Sequence, residues 1–149
     1  MGAYNMNYPV FVYGTLKKGY GNYRLIKDFT THELPATTKG ELYDLGAFPG
    51  LIEGSDTIKG QLMYIDSDHY QSALSVLDTM EGYDENNINN SLYIRKLVTV
   101  HADNQTIEAY AYFWNGSVEQ AKKIEEGEYR CLSSKLSCIL NFTSAFQAF

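Results

Sequence analysis

Apolar residues along the chain change period several times, and each change marks an element. Pro9-Val10-Phe11-Val12-Tyr13 is a continuous β-branched and aromatic run ended by Gly14, the pattern of a buried strand entering a turn. Residues 20–29 place Tyr23, Ile26 and Lys27 near helical spacing. Residues 31–43 read as extended with a break at Gly40, and 44–50, with two glycines and a proline, read as a loop. Leu51-Ile52 and then residues 57–65 resume strand character. The clearest helix spans 67–80: Tyr70, Ala73, Leu74, Leu77 and Met80 form one apolar stripe, Asp66 or Ser67 caps its start, and Gly82 stands where a helix end favours glycine. Residues 92–101 and 106–114 form a hairpin around Ala102-Asp103-Asn104-Gln105. Ser117 with Gln120 predicts a short capped helix through Ile124. Strands before, between and after helices point to a single α+β domain.

Composition narrows the partners. The 149 residues are 44% hydrophobic and carry a formal charge of −6, which repels phosphate backbones and anionic lipid, so neither nucleic acid nor a membrane is an expected partner. The basic pairs Lys17-Lys18 and Lys122-Lys123 read as solvated surface. No basic segment precedes a long apolar run, so neither a signal peptide nor a transmembrane span is expected. Cys131 and Cys138, seven apart on a tail of helical periodicity, would stand about 10 Å apart, beyond bridging reach, which suits reduced thiols in a cytoplasmic protein.

Candidate chemistry is sparse. His32, His69 and His101 lie on separate elements without ligand spacing, so no metal site is expected. A Gly-x-Ser-x-Gly elbow and a Gly-Lys-Ser/Thr phosphate loop are both missing. Two features remain. The turn Tyr13-Gly14-Thr15-Leu16 leaves a strand through glycine, so its backbone N–H groups can face outward and hold a carboxylate or an oxyanion. Glu81 ends the predicted helix, where the helix dipole disfavours its charge and raises its proton affinity by less than one pH unit; burial must supply the rest if it is to act as a base.

These two features occur in a longer order. Tyr13-Gly14-Thr15-Leu16-x-x-Gly19, Gly40-Glu41-Leu42-Tyr43, Phe48-Pro49-Gly50-Leu51, Leu77-Asp78-x-x-Glu81-Gly82-Tyr83, Tyr93-x-Arg95 and the ending Gly127-Glu128-Tyr129-Arg130 resemble the γ-glutamylcyclotransferase-like family, which includes γ-glutamylamine cyclotransferases. The resemblance covers residues 10–130. It implies a small mixed β-barrel with flanking helices over 1–130, in which Tyr13, Gly14, Thr15 and Leu16 hold a γ-glutamyl group and Glu81 is the general acid/base. The implied reaction is cyclisation of a γ-glutamyl amine or peptide to 5-oxoproline, with no metal or organic cofactor and a small-molecule substrate. Tyr112 is a further candidate for the pocket wall, and Glu85 is the next carboxylate should Glu81 not serve. The polar loop 84–91 is expected to influence which leaving amine is admitted. The tail 131–149 matches nothing in the family; Leu132, Leu136, Ile139, Leu140 and Phe146 fit one helical face, leaving the chain a monomer or a homodimer. The alternatives are a non-catalytic domain that binds a small ligand in the same pocket, and a protein-interaction domain.

Overall fold

Valine and phenylalanine alternate so that one short strand is buried on both faces. In a computed structural model, which describes residues 7–130, strand β1 (Val10–Val12) sends Phe11 into the barrel interior and Val10 and Val12 toward the helix. This double burial accounts for its uninterrupted apolar run. Strands β2 (Thr30–Asp44) and β3 (Pro49–Ile65) form a long antiparallel hairpin. Its register slips between Gly40 and Glu41, where a Cβ on Gly40 would lie 2.8 Å from the Ile52 carbonyl, so the break expected at Gly40 is a bend between crowded strands.

Strands β4 (Tyr93–Ala102) and β5 (Gln105–Trp114) form a second hairpin through Asp103 and Asn104, which take φ of 51° and 60°. Asp and Asn tolerate this left-handed conformation, and a two-residue turn of that kind matches the twist of the flanking strands. The sheet runs β3-β1-β5-β4-β2, and β2 also pairs with β3, so five strands close into a ring. β1 and β5 are parallel and the other pairings are antiparallel, giving the mixed barrel of an α+β fold. Leu42, Leu51, Ile58, Leu62 and Val100 fill the interior.

The predicted helix is present as a 3₁₀ turn (Ser67–His69) running into α1 (Tyr70–Met80), and the Asp66 carboxylate accepts from the Asp68 amide at 3.2 Å. Leu77 and Met80 pack on Val10, Val12 and Met63, outside the ring. Three local expectations change. Residues 21–29 form two 3₁₀ turns (Gly21–Leu25 and Lys27–Phe29) instead of a helix. β3 is one strand from Pro49 onward, because pairing with β2 overrides the proline and glycine at its start. No helix forms over 117–124: the Ser117 hydroxyl caps only the Glu119 amide, and the chain goes on into strand β6 (Lys122–Lys123), which pairs with the end of β2. The tail 131–149, with its cysteines and predicted helix, lies outside the described residues. No helix among the described residues is long and apolar enough to cross a membrane.

Candidate active site

β1 delivers Tyr13 to the mouth of the barrel, and the chain turns at once, with the Lys17 amide donating to the Gly14 carbonyl at 3.1 Å. Glycine is required here because a Cβ on Gly14 would lie 2.9 Å from Pro49 Cγ. The Gly-Thr turn and the Phe48-Pro49-Gly50 segment are thus two sides of one contact. Among the described residues the amides of Gly14, Thr15 and Leu16 donate no hydrogen bond, whereas Lys17 N–H serves the turn and Lys18 N–H donates to Gln61 Oε1 at 2.8 Å. The loop therefore keeps three adjacent backbone donors for a ligand.

Glu81 arrives from the other side. Its neighbours close the helix in a Schellman arrangement: Tyr83 N–H donates to Asp78 O at 2.9 Å, Gly82 N–H to Thr79 O at 3.2 Å, and Gly82 takes φ of +65°. The glycine after the glutamate thus serves the backbone. It ends α1 with Glu81 turned into a pocket shared with Tyr13, Gly14, Thr15, Leu16 and Tyr112. The space out to the mouth, open solvent included, is about 560 Å³. The Glu81 side chain is only partly buried and opens to this pocket. Burial first, and the charge of Asp78 second, push its pKa up to about 8.

The polar side-chain atoms of Tyr13 and Thr15 are engaged within the protein. Tyr13 O–H donates to the Tyr112 carbonyl at 2.7 Å and accepts from Leu51 N–H at 3.3 Å, so the hydroxyl belongs to the frame. Burial, with the nearby Glu81 adding to it, raises its pKa well above the usual tyrosine value. Thr15 Oγ1 accepts from the buried Asn22 Nδ2 at 2.9 Å, and Asn22 N–H donates to Thr15 O at 3.0 Å. Asn22 therefore splints the loop, and nothing in its sequence context announced it. Replacing Asn22 with alanine is expected to cost about 1–3 kcal/mol and to weaken ligand binding several-fold, measurable by urea denaturation and by calorimetry.

Lys17 corrects the surface reading: it is 5% exposed, and its ammonium donates to the Tyr129 carbonyl at 2.9 Å beside the Tyr20 ring. Lys18 is exposed as expected and pairs with Glu33. Glu85 is exposed and does not line the pocket, nor does any residue of 84–91; Leu92 provides the wall there. The loop is instead folded on itself by Ser91, whose hydroxyl accepts from Asp84 N–H at 2.9 Å. Tyr93, which the sequence marked only as part of a motif, donates to the Pro49 carbonyl at 2.7 Å and fixes the opposite rim. Among the described residues no cluster of three His, Cys, Asp or Glu could hold a metal ion.

A family model described as gamma-glutamyl cyclotransferase, AIG2-like, matches residues 10–131. A Vibrio cholerae protein, provisionally named a gamma-glutamylcyclotransferase, is 38% identical over 49% of this chain and 64% of its own. Escherichia coli YtfP, a gamma-glutamylcyclotransferase family protein, is 27% identical over 80% of this chain and 94% of its own. A gamma-L-glutamyl-butirosin B gamma-glutamyl cyclotransferase of Niallia circulans is 27% identical over 71% of this chain and 66% of its own. Among solved structures, Bacillus subtilis YkqA superposes with a TM-score of 0.62 at 28% identity, over 83% of this chain but only 40% of that one.

Proposed function

Because the chain belongs to the gamma-glutamyl cyclotransferase, AIG2-like family, we propose that it cyclises a γ-glutamyl amine or γ-glutamyl peptide, releasing 5-oxoproline and the free amine. The observation that carries this reading is the single pocket bounded on one side by the free amides of Gly14, Thr15 and Leu16 and on the other by a carboxyl held near pKa 8.

Each part matches a demand of the reaction. The substrate α-ammonium must lose a proton before its nitrogen can attack the γ-carbonyl carbon of the same molecule, and Glu81, close to half ionised near pH 8, takes that proton. The attack is intramolecular, so most of the gain comes from holding the folded conformer with nitrogen and carbon within about 3.5 Å. The loop does this by gripping the α-carboxylate or the carbonyl oxygen. As the ring closes, negative charge collects on that oxygen, and a well-placed backbone donor is worth about 3–4 kcal/mol there. Glu81 then passes its proton to the departing nitrogen as the old amide bond breaks. The ring nitrogen sheds a second proton as the lactam amide forms, so both protons lost by the α-ammonium end on the released amine, which departs as its ammonium, and no co-reactant is consumed.

The test is to incubate the folded protein with a panel of γ-glutamyl amines and γ-glutamyl dipeptides and follow 5-oxoproline by chromatography. Product from at least one member is the expected result. Absence of product from all of them overturns the reading. Calorimetric binding without product would instead identify a ligand-binding domain on the same fold.

A further inference from the structure

Asp78 has no part in the proton transfers just described, yet it is the most heavily engaged carboxylate of the site. It stands one turn before Glu81, on the same side of α1. Arg95 Nη1 donates to its Oδ1 at 2.9 Å and its Oδ2 at 2.8 Å, and the Tyr112 hydroxyl donates to Oδ1 at 2.6 Å. The Arg95 guanidinium also lies 5.4 Å from the centre of the Tyr83 ring and 4.7 Å from that of Tyr110. One β4 side chain therefore grips the residues on both sides of the Glu81-Gly82 pair. Tyr112 completes the circuit, because its backbone carbonyl accepts from Tyr13 O–H at 2.7 Å. The helix end and the 13–16 loop hang from the same β5 residue.

We propose that Asp78 is a positioning residue for Glu81: clamped by Arg95 and Tyr112, it fixes the last turn of α1 so that the Glu81 carboxyl stays turned toward the 13–16 loop. This rests on the role of Glu81 given above. The groups that bear on Glu81 from the surrounding elements are Tyr13 from the loop after β1, Tyr93 from β4, Tyr112 from β5 and Asp78 from α1. Burial raises all three phenols, so they stay neutral over the working range. Asp78 is then the charge that acts on Glu81, and Arg95 balances it. The charge of Asp78 adds to the rise that burial causes, so one residue bears on both the position and the proton affinity of Glu81.

The two partners must therefore act with opposite signs. We would label the protein with carboxyl-¹³C glutamate, assign Glu81 by its loss in Glu81→Gln, and titrate it by NMR in the unliganded chain. Asp78→Asn keeps the size and the acceptor oxygen but removes the charge, and should move the Glu81 midpoint down by about one pH unit. Arg95→Met leaves Asp78 unbalanced and the turn unclamped. It should move the midpoint up and lower kcat about tenfold or more with KM within about threefold, and Arg95→Lys should recover part of the kcat. Midpoints that stay put, or that move the same way in Asp78→Asn and Arg95→Met, overturn the proposal, and either variant alone gives a sign if the other does not fold. Because the titration needs no turnover, opposite shifts without any 5-oxoproline would refute the cyclotransferase reading and leave the role of Asp78 standing.

Discussion

Glu81→Gln is expected to lower kcat by about 10²–10⁴-fold, the usual worth of a positioned acid/base, and to leave the protein folded. Glutamine fills the same space but cannot exchange the proton that must travel from ammonium to leaving amine. In the unmodified protein, kcat/KM should rise with pH through about 8, as the Glu81 carboxyl ionises, and that dependence should vanish from the residual activity of the variant. Stability should move the other way. The folded carboxyl holds its proton more tightly than the unfolded one, so between about pH 4.5 and 8 the unfolded chain sheds a proton that the native state keeps. Native stability therefore declines as pH rises through this window, and the deficit is complete above about 8. Glu81→Gln should accordingly be the more stable protein at pH 9, by about 1–3 kcal/mol given the partial opening of the side chain to the pocket, and should lose that margin by pH 4. Thermal melts at pH 4, 7 and 9 beside a 5-oxoproline assay check both limbs. Full activity in the variant would remove Glu81 from the chemistry. Glu85 would not replace it, since it stands outside the pocket.

The second large effect is structural. Gly127 takes φ of +72°, and a Cβ there would lie 2.1 Å from the carbonyl oxygen of Thr57, a backbone atom that cannot swing aside. Its own carbonyl accepts from Lys59 N–H at 2.8 Å, so the segment is anchored to β3 on both counts. Gly127→Ala is expected to cost about 2–4 kcal/mol, the sum of a left-handed backbone for alanine and an overpacked contact. Urea denaturation measures it. A loss below 1 kcal/mol would mean that the 127–130 segment is not fixed to the barrel. Activity should fall as well, since Tyr129 in this segment supplies the carbonyl that receives Lys17.

The sequence disclosed most where one residue does one thing. The apolar run of β1, the stripe of α1 and the Asp103-Asn104 turn each obey a local rule and stand where expected. Tyr13 to Leu16 and Glu81 were legible as candidates through their order in the chain, and they meet around one pocket. Side-chain orientation was not legible. Tyr13 read as a ligand contact but has its hydroxyl committed to the β5 backbone; Lys17 read as solvated but is buried on a carbonyl. Both partners lie about a hundred residues further on, where no local pattern reaches. Asn22 was missed for the complementary reason, because its partner Thr15 is near in sequence but the intervening turns are irregular. The helix expected after Ser117 failed because the capping signal was outweighed by pairing with the end of β2.

The contacts that bind the site together span the chain: 99 residues separate Tyr13 from Tyr112, and 112 separate Lys17 from Tyr129. β1, three residues long, closes the ring through a parallel pairing with β5. A ribosome therefore produces the 13–16 loop first and its scaffold last. Closing so long a loop is entropically slow, and the reward arrives only once residues 110–130 exist. A chain trimmed before residue 110 lacks both carbonyls, of Tyr112 and Tyr129, on which Tyr13 and Lys17 are anchored.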